Sequence, residues 1–157
     1  GLVSPQLEAD WDYDATALEL ALSGLDARIG MHGLRPTEEQ KQLALAWLAF
    51  FGVNELQHRR FAALSTGQRR RCFLARAMLA GGGEGPALLA LDEPCAGLDA
   101  ETRSSLYTFM ARLAKAGVPL LVASHHQDEL PEEITHCLLL QQGSIIAQGP
   151  CTEVLTS

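Results

Sequence analysis

Two short apolar runs, each ending in ionisable side chains and separated by one amphipathic stretch, constrain this chain of 157 residues more than any other feature. Residues 87–91 are continuously apolar at strand length, and residues 119–123 repeat the pattern. Such runs mark strands covered on both faces, as in a parallel sheet. Between them Leu106, Phe109, Met110 and Leu113 fall on one helical face, and Gly117 supplies the stop. Strand, helix and strand in that order make a βαβ unit. The unit carries the residues after both strands to one sheet edge, where open α/β sheets present their ligands.

The residues at that edge have chemistry to offer. In Leu89-Ala90-Leu91-Asp92-Glu93-Pro94 two carboxylates follow the first strand. One can hold Mg²⁺ directly or through water, and its neighbour can orient an attacking water. A solvated acidic turn has the same composition. The second strand ends in Ser124-His125-His126, with His125 standing 32 residues after Glu93. An imidazole there can hydrogen-bond a γ-phosphate and hold the carboxylate, although a histidine at a strand end is also common as a purely structural residue. Gly97-Leu98-Asp99 lies between, with Asp99 placed to cap the next helix.

Upstream stands Leu64-Ser65-Thr66-Gly67-Gln68, continued by Arg69, Arg70 and Arg71 and then the helical run Cys72 to Leu79. Ser65 is a good N-cap, Gly67 permits close backbone approach, and the free amides of a helix start attract anions. The pattern also suits a plain helix cap whose arginines form a solvated face.

The remaining chain is organised around these motifs. Residues 1–4 read as the end of a strand stopped by Pro5, and the acidic, aromatic residues 8–14 as a loop. Residues 16–22 have helical character, and Gly24, Gly30, Gly33 and Pro36 then break the pattern. Thr37 with Gln40 forms a capping box for a helix whose apolar face is Leu43, Ala46, Trp47, Phe50 and Phe51, ended by Gly52. Residues 81–86 are a glycine-rich break. Residues 135–141 and 144–148 read as a terminal hairpin through Gln142-Gly143, followed by a short helix begun by Thr152.

Composition excludes several classes. Twelve Lys and Arg against 19 Asp and Glu leave a net charge of −7, which disfavours a broad grip on nucleic acid or anionic lipid. The apolar runs are far shorter than the roughly 20 residues of a bilayer-spanning helix. Cys72, Cys95, Cys137 and Cys151 form no CxxC pair, so reduced thiols of a cytosolic protein are expected rather than a disulfide scaffold or a zinc ribbon. A metal site from His125, His126, His136 and Cys137 is disfavoured, because no helix or hairpin pattern fixes those ligands together.

In order and spacing, Leu64 to Gln68, Leu91-Asp92-Glu93-Pro94, Gly97-Leu98-Asp99 and Ser124-His125 resemble the signature motif, Walker B, D-loop and switch histidine of the nucleotide-binding cassettes of ABC transporters. Val3-Ser4-Pro5-Gln6 is similar to the Q-loop, and Gly143, Gly149 and Glu153-Val154-Leu155 to the closing hairpin and helix. The resemblance covers nearly the whole chain. It implies an α/β P-loop NTPase fold, present in part: residues 1–6 as the Q-loop strand end, 7–80 as the helical signature subdomain, and 81–157 as the C-terminal part of the RecA-like core with its hairpin. It further implies ATP as substrate and Mg²⁺ as cofactor. Asp92 would bind Mg²⁺, Glu93 would be the general base and His125 the switch, while Gln6 would sense γ-phosphate and metal. Asp99 would communicate across a dimer, and Ser65, Thr66, Gly67 and Gln68 would cap the ATP of an opposing cassette. The implied partners are that second cassette, head to tail, and transmembrane permease subunits docked on residues 7–80, with the protein cytoplasmic and peripheral to the membrane. No direct nucleic-acid binding is expected.

The chain departs from the family pattern in places. Thr66 replaces the usual signature Gly, and His126 stands where an acidic residue commonly follows the switch; a shifted register would make His126 the switch, but His125 directly follows Ser124. No GxxxxGK loop followed by Ser or Thr is present, the lysines being Lys41 and Lys115, neither after a Gly. The chain opens at Gly1 without a methionine, and the phosphate loop, its strand and the adenine-stacking aromatic are expected upstream. The segment by itself is then expected to be inactive, with strand edges prone to association or a partly disordered N-terminal half. Two other readings stand beside this one: a non-catalytic cassette lending its signature to a partner, and a soluble cassette protein unconnected to transport. Residues 124–136 add a resemblance to the molybdenum-transport and photorepair-associated bacterial type.

Overall fold

Three parallel strands carry the candidate site: β1 (Leu2–Val3), β2 (Leu89–Asp92) and β3 (Leu120–Ala123), in the order β1-β2-β3. In this computed structural model, which describes residues 1–11, 14–26, 33, 35–125 and 130–155, Val3 pairs with Leu91 and Asp92 with Ala123. Helix α5 (Ala100–Lys115) joins β2 to β3, completing the anticipated βαβ unit. Leu106, Met110 and Leu113 are its buried stripe, Phe109 packs at the margin, and Gly117 closes the helix at φ +84°.

Both strands are shorter than their apolar runs and less covered than expected. Leu88 is 45% exposed, outside β2, and Leu121 on β3 is 58% exposed. Leu89 and Leu91 are buried, but β3 alternates between half-buried and exposed residues. An apolar run thus gives the strand, not the depth of its cover.

The N-terminal half is helical: α1 (Pro5–Ala9), α2 (Ala17–Leu22), α3 (Glu38–Phe50) and α4 (Thr66–Met78). Reciprocal capping boxes open α2 (Thr16 and Glu19), α3 (Thr37 and Gln40) and α4 (Ser65 and Gln68), each cap contributing about 1 kcal/mol. Pro5 does stop β1, but it also starts α1 under a Ser4 cap, so Glu8 is helical rather than part of a loop. On α3 the fully buried residues are Ala44 and Leu48, continued by Phe51, while Ala46 is exposed. Its large aromatics pulled the expected face round by about a residue. Gly52, at φ +67°, ends the helix as expected.

Helices and sheet share one core. Phe73 of α4 packs edge-on against Trp11 at 5.5 Å and Phe61 at 5.7 Å, and Phe51 meets Phe109 of α5 at 5.3 Å. Such aromatic burial is worth roughly 1.5–3 kcal/mol per side chain. The 81–83 break is a single helical turn with all three glycines at positive φ. The terminal hairpin is β4 (His136–Gln141) and β5 (Ser144–Pro150), and α6 (Cys151–Val154) starts one residue before Thr152. A groove of about 980 Å³ separates β3 from this hairpin.

Candidate functional site

The register Asp92↔Ala123 brings the ends of β2 and β3 level, and the Glu93 amide donates to Ala123 O at 2.9 Å. The chain turns sharply there: Glu93 holds φ +46°, in the left-handed region that side chains resist. That turn points its carboxylate at the residue two beyond the next strand. His125 Nδ1 lies 2.8 Å from Glu93 Oε1. Glu93 Oε2 is shielded from solvent and takes no hydrogen bond from any described residue, so this oxygen has acceptor capacity to spare. Asp92, on the opposite face of the strand end, is exposed.

Glu93 is held from behind by a contact that sequence reasoning did not find. Arg70 Nη1 donates to the Glu93 carbonyl at 3.1 Å, and Arg70 Nε is 2.5 Å from Glu8 Oε1 of α1. Arg70 is 3% exposed, so the three arginines are not a uniformly solvated face. Burial pushes the Glu8 carboxyl above its ordinary range, against the opposing pull of Arg70 and Arg69. The signal was present: Arg70 falls on the same face of α4 as Phe73 and Ala77.

The start of α4 is committed to its cap. Ser65 Oγ accepts from the Gln68 amide at 3.3 Å and Gln68 Oε1 accepts from the Ser65 amide at 3.0 Å. Thr66 is exposed at the first helical position. Gly67 is buried for a reason inside the fold: a Cβ there would sit 2.6 Å from Thr102 Cγ2 of α5. The close approach it permits is to a neighbouring helix, not only to a ligand. Thr102 is in turn fixed by Asp99, whose Oδ1 accepts from the Thr102 amide and Oδ2 from its hydroxyl, both at 2.9 Å. Those two bonds hold the Asp99 carboxyl below its usual range. Asp99 caps α5, and through Thr102 it meets the α4 start.

Gln6 is not gathered to the same point. Its Nε2 donates to both carboxylate oxygens of Asp10, at 3.2 and 3.1 Å, and no hydrogen bond among the described residues joins it to Asp92. His126, the alternative switch and a member of the disfavoured metal set, lies outside the described residues. Among the described residues no group of three or more His, Cys, Asp or Glu is placed to hold a metal. A lone exposed Asp92 nevertheless suits Mg²⁺, which is commonly held by one or two carboxylates, several waters and substrate phosphates. No described helix is long and apolar enough to cross a membrane.

Comparison with known proteins shows the family and the fold. Residues 5–96 match the family model described as ABC transporter. An uncharacterized ABC transporter ATP-binding protein of Bacillus subtilis, YlmA, is 37% identical over 99% of this chain and 58% of its own length. The molybdenum import ATP-binding protein ModC of Pseudomonas savastanoi is 39% identical over 66% of this chain and 28% of its own. A solved nucleotide-free ATP-binding cassette from an ABC transporter superposes with TM-score 0.78 at 25% identity, covering 100% of this chain and 65% of that one. The chain thus spans little more than half the length of YlmA.

Proposed function

Because the chain belongs to the ABC transporter family, as part of an ATP-binding cassette, we propose that it supplies the hydrolytic residues of one ATPase site and the signature motif of a second, each site shared between two cassettes. The observation that carries this reading is the 2.8 Å approach of His125 Nδ1 to Glu93 Oε1 at the ends of adjoining parallel strands, with Oε2 left over as an acceptor.

Glu93 is the general base: Oε2 takes a proton from the attacking water while His125 fixes the carboxylate through Oε1. Doubly protonated, the His125 imidazole would donate from Nε2 to the γ-phosphate while Nδ1 stays on Glu93. Asp92, with Gln6 after a turn of its amide away from Asp10, would hold Mg²⁺, which when bound neutralises phosphate charge. Ser65, Thr66, Gly67 and Gln68 present the α4 start to the γ-phosphate of ATP on a head-to-tail second cassette, and Asp99 relays between the two sites. The chain divides into residues 1–6, the helical unit 7–80 that docks a transmembrane permease, and 81–157; docking makes the assembly peripheral to the membrane, and ATP hydrolysis at the shared interface drives transport. The chain alone does not hydrolyse ATP, for want of a phosphate loop.

The test is calorimetry of Mg·ATP with the 157-residue chain, then hydrolysis by a chimera carrying the part of YlmA outside the matched region ahead of residue 1. We expect no tight binding by the chain, hydrolysis by the chimera, and at least a ~100-fold loss with Glu93→Gln while ATP binding persists. Tight binding by the chain alone, or an unaffected Glu93→Gln chimera, overturns the reading.

A further inference from the structure

Cys137 lies directly opposite Gly149 in the terminal hairpin, and His136 opposite Pro150. The pairing continues one step further, where the Cys151 amide donates to Thr135 O at 3.0 Å. Cys137 and Cys151 are therefore diagonal neighbours on one face of the hairpin, two positions apart in register. Gly149 has no side chain, so nothing from the directly facing position separates them. Both are free and half-buried. Desolvation, then the hydrogen bond and the proximity of Cys151, hold the Cys137 thiol above its ordinary value. The other two cysteines are elsewhere: Cys72 and Cys95 are buried in the core, and burial pushes Cys72 up to about 12.

We propose that Cys137 and Cys151 are a modification site, a dithiol that closes to a reversible disulfide on exchange with a low-molecular-weight disulfide of the glutathione class. The Cys151 thiolate attacks one sulfur of the small disulfide, whose S–S bond breaks and whose other sulfur leaves as thiolate and takes up a proton. Cys137 then loses its proton, and its sulfur attacks the Cys151 sulfur of the mixed disulfide, expelling the second small thiol. Two protein S–H groups are oxidised to one S–S bond, and one small disulfide is reduced to two thiols. A disulfide brings the Cβ atoms to about 4 Å, so closure draws the first turn of α6 onto β4. The bond staples the hairpin to α6 beside the groove that β3 and the hairpin enclose.

The experiment uses the 157-residue chain in a buffer of oxidised and reduced glutathione, quenched with acid and read by thiol titration in denaturant and by peptide mass mapping. We expect four titratable thiols to fall to two, with residues 137 and 151 cross-linked within one chain and Cys72 and Cys95 unmodified. The cross-linked form should exceed the singly glutathionylated form by at least roughly tenfold, because the second exchange is intramolecular. Cys137→Ser should trap glutathione on Cys151 instead of closing. Retention of four thiols at equilibrium, separate glutathione adducts on both cysteines, or cross-links between chains overturns the proposal. None of these readouts depends on ATP, so the proposal stands or falls apart from the ATPase reading.

Discussion

His125 Nδ1 sits 2.8 Å from Glu93 Oε1, joining the residues that end two neighbouring parallel strands. The link spans 32 residues of sequence, yet it needs only the β2–β3 register and the turn at Glu93. His125 is largely exposed, at 68%, whereas Glu93 is 28% exposed, so the imidazole is the partner more open to solvent. In the YlmA chimera we expect His125→Ala to lower the ATP turnover number by about 10²–10⁴-fold with nucleotide affinity changed little, measured by steady-state hydrolysis beside calorimetry.

Gly67 and Thr102 make a second checkable contact. Gly67→Ala places a methyl 2.6 Å from Thr102 Cγ2, and should cost about 1–3 kcal/mol in urea denaturation. Thr102→Ser removes that methyl and keeps the hydroxyl that bonds Asp99, so the double variant should recover most of the loss. Recovery no better than additive would show that the clash lies elsewhere.

Arg70 and Glu8 form a buried pair, 3% and 12% exposed at their side chains. Arg70→Met strands the Glu8 carboxylate and should destabilise by about 3–5 kcal/mol at mildly alkaline pH. Burial already raises Glu8, and without Arg70 its folded value rises further above the unfolded one. The folded state then binds the proton more tightly, so the variant regains stability as pH falls toward the ordinary value and loses it as pH rises. Adding Glu8→Gln should flatten that dependence, read from denaturation midpoints across the acid and neutral range.

Asp99 gives the opposite sign. Thr102 holds its carboxyl below the ordinary 3.8, so the cap is fully present above that pH and fades as pH falls through the depressed value. Asp99→Ala should therefore lower the midpoint at neutral pH and shallow the decline in acid. Parallel curves for the two proteins would count against the cap.

Much of the fold and candidate site was legible because local signals agreed with the tertiary result. The capping box at Thr37, the N-cap at Ser65, the stripe of α5 and the two strand-end motifs each follow from short-range rules. What escaped depends on contacts distant in sequence. The helical face turns Arg70 inward, but nothing near residue 70 names the groups that its guanidinium reaches, Glu8 and the Glu93 carbonyl. Nothing near Gly67 reveals that Thr102 occupies the space it leaves. The exposed Leu121 shows the same limit from the other side: a run of apolar letters records what a strand can bury, not what lies against it.

The left-handed backbone at Glu93 has an evolutionary cost. A non-glycine residue in that region gives up on the order of 1–3 kcal/mol, which glycine would largely recover and asparagine would recover in part. Directed evolution of this chain for heat resistance alone would consequently drift toward such replacements at position 93 and discard the carboxylate. Any selection meant to preserve chemistry has to score turnover alongside survival.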